Sequence, residues 1–148
     1  MKSSIRTIAL AALVSIASLS PALHAQTASL QARFDVPFSF DCGTTHLSAG
    51  VYTLTVPEGN ILVLRNSSQA VVALVQMAYD PTPSRNTLAT FKKYGDRYFL
   101  EEITASGKFS HAYVAESGAE KRAARESGEA GTQVAVAALP PNPQRAGN

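Results

Sequence analysis

The chain has 148 residues, 13 Lys+Arg against 11 Asp+Glu, six Phe, five Tyr, no Trp and one cysteine. Its length fits one domain with a modest core, and a formal charge of +2 offers no basic excess for nucleic acid or an anionic membrane. A lone cysteine excludes an internal disulfide, so packing must hold the fold.

Residues 1–25 read as a secretory signal peptide. Lys2 and Arg6 precede an apolar run at 8–16, Pro21 breaks it, and Leu23-His24-Ala25 forms a cleavage site before Gln26. The run is too short to span a bilayer, so no stable membrane span is expected after its removal. No cysteine sits at the cleavage site, which excludes a lipid anchor there. Removal takes Lys2 and Arg6 away and leaves eleven charges of each sign. The expected organisation is a flexible lead-in over 26–32, one β domain over 33–139 and a disordered tail over 140–148. The expected location is the periplasm or the medium.

Residues 34–40 (FDVPFSF) alternate Phe34, Val36, Phe38 and Phe40 with polar residues or proline, the period of a strand with one buried face. After a loop with Gly43, residues 51–56 alternate again, with Tyr52, Leu54 and Val56 in one phase. The two runs predict a hairpin that supplies much of the aromatic core. Residues 61–65 (ILVLR) and 70–77 (AVVALVQM) flank a polar turn and are apolar in both phases, which implies cover on both faces. A proline-rich loop over 80–86 follows. Strands over 88–94 and 97–104 flank Gly95-Asp96, a two-residue hairpin turn. Residues 109–115 give a seventh strand. Ser117 and Glu120 then form a capping box for a short helix over about 117–127. Residues 132–139 fit a last strand before Pro140 and Pro141. The fold class is mainly β: a small antiparallel meander of seven to eight strands with one short C-terminal helix, closed as a barrel or open as a sandwich.

Four fragments carry a resemblance: F-x-V-P-F-x-F at 34–40, L-x-A-G-x-Y at 47–52, F-x-x-Y-G-x-x-Y-F-L at 91–100 and S-x-x-E-x-R at 117–122. Together, over residues 33 to 125, they resemble a family of small secreted bacterial β-rich proteins. The resemblance implies an exported β domain and assigns no catalytic residues. Ser48 stands where that family commonly has proline, which loosens the turn before Gly50.

Chemistry-bearing residues are sparse. Asp41, Cys42 and His46 share a loop, but a zinc site needs more ligands than this loop holds, and His111 is the only other histidine beyond the leader. Cys42 lacks the surroundings of a catalytic thiol, and there is no G-x-S-x-G. Adjacent Glu101 and Glu102 on a strand are expected on opposite faces. Asn66-Ser67-Ser68 matches a glycosylation triplet but reads as a turn in a bacterial protein. Tyr94, Tyr98, Tyr113 and His111 are the candidate ligand-binding residues, apolar in body and polar at the tip. No catalytic residue, metal or cofactor is assigned.

The expected function is that of a non-enzymatic exported domain that binds an unknown protein or a small apolar ligand. The alternatives are a small hydrolase with a loop-built site and a structural envelope component that self-associates. A homodimer through the 61–77 hairpin is one expected form, because the helix offers only alanines to cover its second apolar face. A fold-back of residues 134–139 over that face is the competing expectation.

Overall fold

The computed structural model describes residues 30–57, 60–79, 84–106 and 111–140. They form β1 (Leu30–Val36), β2 (Phe40–Cys42), β3 (Thr45–Leu47), β4 (Gly50–Val56), β5 (Ile61–Arg65), β6 (Ala70–Ala78), β7 (Leu88–Tyr94), β8 (Arg97–Thr104), β9 (His111–Val114), α1 (Gly118–Ser127) and β10 (Thr132–Ala137). The predicted signal peptide, residues 26–29 of the lead-in, and residues 58–59, 80–83, 107–110 and 141–148 lie outside the described residues. β1 begins at Leu30, inside the segment expected to lead in.

The protein is mainly β with one short helix, as its sequence predicts. The long first hairpin pairs β1 with β4, placing Phe34 opposite Tyr52 and Val36 opposite Gly50. It does not stop there. Pro37 has no N–H to donate and interrupts the ladder. Beyond it β2 and β3 form their own small hairpin, and β2 lies parallel to β8 with Asp41 opposite Phe99. These two short strands raise the count to ten, above the seven or eight expected.

The predicted meander holds within β4–β5–β6 and within β7–β8–β9, but not between them. The chain leaves β6 for β7, which pairs with β8, and β9 then returns beside β6. This is a Greek-key step. The barrel expectation is corrected: the sheet is not closed. β10 pairs along β7, but it meets β1 only through a bridge between Phe34 and Ala138 and an N–H of Leu139 donating to Arg33 C=O at 2.7 Å. Pro140 comes next and cannot continue a ladder. The architecture is consistent with the open β-rich sandwich.

The inward phases form one core. Phe34, Phe40, Tyr52, Leu54, Leu62, Phe91, Leu100 and Ile103 are all nearly fully buried. Phe40 meets Tyr52 and Phe91 edge-on at 5.3 and 5.0 Å. The buried Tyr52 hydroxyl donates to Ser48 C=O at 2.6 Å, which satisfies its one polar atom and ties down the turn before Gly50. Phe38 is only half-buried, because residues 37–39 leave the strand; its ring stacks on Tyr98 at 4.0 Å.

A second, smaller cluster joins α1 to the other side of β7–β8. Tyr94 and Phe99 pack against Ala123, with Ala119 and Ala124 beside them. Ser117 caps the helix, accepting from Glu120 N–H at 3.1 Å, and Gly128 closes it in the left-handed conformation with φ 64. Glu120 is buried here, and its pKa is raised by burial and then by the neighbouring Glu116 charge. A carboxyl whose folded pKa is raised stabilises the fold when protonated and loses that contribution as pH rises. Glu120→Gln is therefore expected to raise the thermal midpoint relative to the parent at pH 7. The gain should vanish toward about pH 3, where both carboxyls are protonated. Melts at both pH values check it.

Candidate functional site

β5 and β6 are set in register by the Asn66 turn. Asn66 N–H donates to Gln69 C=O, and its side-chain oxygen accepts from the N–H groups of Ser68 and Gln69. Ile61 then opposes Leu74, and Val63 opposes Val72. Leu62, Leu64, Val71, Ala73 and Val75 point into the core. The other phase points out and stays bare: Val72 is 65% exposed, Leu74 72% and Ile61 39%. Among the described residues the chain itself does not cover this phase. The fold-back alternative is also removed, because β10 lies along β7 on the far side of β8.

The exposed aliphatics are concentrated. Among the described residues the large exposed hydrophobics are Val51, Ile61, Val72, Leu74, Tyr79, Tyr113 and Leu139. All but Leu139 lie on, or directly after, β4, β5, β6 and β9. Scattered single hydrophobics need no explanation, but a contiguous strip does. Arg65, at the end of β5, is the only charged residue in the outward phase of this hairpin.

Beyond β6 the outer face turns polar. Gln76 opposes Tyr113, which opposes Glu102; Ala78 opposes His111, which opposes Thr104. His111 Nδ1 pairs with Glu102 Oε1, and Thr104 Oγ1 donates to the same oxygen at 3.1 Å. The His111 and Tyr113 rings stack at 5.8 Å. This pair could not be read from spacing, because a bulge hides it. Phe91 opposes Leu100 while Thr90 opposes Glu102, so one extra residue sits in β8. Leu100 and Ile103 both point into the core, and both glutamates between them face outward. That corrects the expectation of opposite faces. Glu101 turns the other way along the surface, to Lys92 Nζ at 3.3 Å and Gln133 Nε2 at 3.0 Å. Burial opposes the Lys92 charge, but the hydrogen bond and charge of Glu101 outweigh it and raise the lysine's pKa.

The four candidate ligand residues do not share one mouth. His111 and Tyr113 come together on β9. Tyr94 lies under α1 and also lines a surface pocket of about 160 Å³ with Lys93, Ser127 and Glu129. That is below the ~300–1,000 Å³ of usual ligand pockets. Tyr98, at the same β7–β8 turn as Tyr94, packs on the main-core side and stacks on Phe38, with Lys93 Nζ 5.4 Å from its ring. The interior offers a void of about 10 Å³ lined by Phe34, Phe40, Tyr52 and Phe91, room for one water at most.

Asp41 and Cys42 alternate on β2. The Asp41 carboxylate accepts from Arg97 at 3.0 Å and pairs with His46 at 2.8 Å, fastening the small hairpin to the start of β8. Cys42 points the other way, into the core, where burial pushes its thiol up to about 12. The thiolate is the reactive form, so the folded protein should ignore thiol reagents at pH 8 and present one thiol per chain in guanidinium. A full equivalent reacting in buffer would contradict this burial.

Fold and face together define a small β domain with a bare aliphatic surface on β5 and β6 and a core whose void beside Phe34 and Phe91 is only about 10 Å³. Comparison with protein-family models, with curated proteins and with solved structures returns no match.

Proposed function

We propose that this is an exported, non-enzymatic bacterial domain that binds through the outer aliphatic face of β5 and β6. The observation that carries the reading is the exposure of Val72 and Leu74, 65% and 72%, beside Ile61. Leaving such side chains in water forgoes about 25 cal/mol per Å² of apolar area. Export rests on the leader at 1–25 and on the resemblance to secreted proteins. The filled interior favours an apolar surface of another protein over a small apolar ligand as the partner. A photo-crosslinking residue at Leu74 in the producing cell tests the reading, with the helix position Glu126 as control. Adducts at Leu74 and not at Glu126 are expected. Equal or absent adducts at both positions would refute it.

One observation favours a second reading, a small hydrolase. Glu102 orients the His111 imidazole, as a carboxylate does for a general base. The Thr104 hydroxyl, however, donates to Glu102 and is not aimed at the ring as a nucleophile. Hydrolysis of simple esters that His111→Ala abolishes would establish this reading in place of the first.

A further inference from the structure

We propose that the pocket between the end of α1 and the β7–β8 turn binds a small alkylammonium ion. The pocket is separate from the aliphatic face of β5 and β6. Tyr94 and Gly95 at the turn, and Ser127, Glu129 and Thr132 between α1 and β10, line about 160 Å³. A cavity of about 150 Å³ holds one benzene, so this volume suits an occupant of about six heavy atoms.

The polar group at its floor is the Tyr94 hydroxyl. Tyr94 is 9% exposed, with its ring packed on Phe99 and Ala123. Gly131 closes over the ring edge as far as Cζ, where a methyl in its place would sit 2.8 Å away. The hydroxyl makes no hydrogen bond among the described residues, yet none of their buried side-chain oxygens is left unpaired. The hydroxyl is therefore the part of Tyr94 that stays open, and the pocket is where Tyr94 opens.

Charge selects a cation. Glu129 lines the pocket and has no ion pair among the described residues. The last carbonyls of α1 add a partial negative charge at the same end. The nearby positive groups are engaged elsewhere or stand outside the wall. Lys93 shares the wall, but its Nζ lies over the Tyr98 ring on the main-core side, and Arg97 donates to Asp41. Arg125, in the last turn of α1, is not part of the lining. An ammonium has three N–H donors and no acceptor, which suits a carboxylate beside a free hydroxyl oxygen. Its short alkyl chain fills the remaining space beside Ala130.

Titration of the isotope-labelled chain with n-butylammonium at pH 7, followed by amide NMR shifts, tests the proposal. Saturable shifts are expected at Gly95 and over residues 127–132. Their midpoint should be on the order of 10 mM, because so small a ligand makes few contacts. Glu129→Gln should weaken binding about tenfold by removing the charged acceptor. Tyr94→Phe keeps the ring and should weaken it about fivefold through the lost hydroxyl. Glu126→Gln, on the exposed side of α1, should leave the midpoint unchanged. Butyrate should shift none of these amides. Shifts that never saturate, equal shifts with butyrate, or a midpoint that ignores either Glu129→Gln or Tyr94→Phe would overturn the proposal.

Discussion

Phe91→Ala is expected to cost about 3–5 kcal/mol, the range for removing a buried aromatic ring. Phe91 is 1% exposed and stands where the first hairpin meets β7. Its ring takes Phe40 edge-on at 5.0 Å and Phe38 at 5.2 Å. Alanine removes the ring's burial and both contacts, and the surrounding strands cannot collapse into the space without breaking their ladders. A domain of this size is stable by only about 5–15 kcal/mol, so the variant should unfold at a far lower urea midpoint. Phe38→Ala should cost less, because that ring is already half in water. Urea unfolding of the three proteins gives the order. Equal losses for Phe38 and Phe91 would contradict the division between core and margin.

Ending the chain before Thr132 should lower the thermal midpoint by more than about 10 °C, while ending it after Pro140 should leave it unchanged. β10 occupies the outer edge of β7 over six residue pairs, from Thr132 opposite Lys93 to Ala137 opposite Leu88. It also carries the contacts to β1 and an N–H of Ala138 that donates to Thr87 C=O at 2.9 Å. Gly131, just before it, lies so close to Tyr94 that a methyl there would sit 2.8 Å from the ring. Cutting before Thr132 bares the β7 edge, loosens the cover on Tyr94 and frees the end of β1. Residues beyond Pro140, with two further prolines, offer little apolar surface to bury. Coincident midpoints for the two truncations would show that β10 contributes nothing to the fold.

Much of this architecture was legible in the sequence. Alternation at Phe34, Val36, Tyr52 and Leu54 marked the inward phase, and the Ser117–Glu120 box marked the helix start. The hairpins around Asn66 and Gly95 followed from turn chemistry, which acts over a few residues. What was hidden depends on distant contacts. The Greek-key step places β9 beside β6, and no local signal states it. The bulge in β8 sends Glu101 and Glu102 to one face and brings Glu102 to His111. Closure stops at one bridge between β1 and β10, with Pro140 just beyond it and Pro37 ending β1 on the other side, and that meeting of distant segments has no local signal. The bare face was half legible. Both phases of β5 and β6 are apolar, but Arg65 shares the phase of Ile61 and Val63, and Gln76 that of Val72 and Leu74. Those two polar residues carried the direction of the outward face.

The most direct test of that outward face is the stability of Leu74→Lys, measured by urea unfolding at a concentration where the chain is monomeric. A side chain 72% exposed on a folded monomer accepts lysine at little cost. The expected result is a free energy of unfolding within about 0.5 kcal/mol of the parent. A loss of about 3 kcal/mol or more, the penalty for burying an unpaired charge, would mean that the chain covers this face itself and that it is no binding surface.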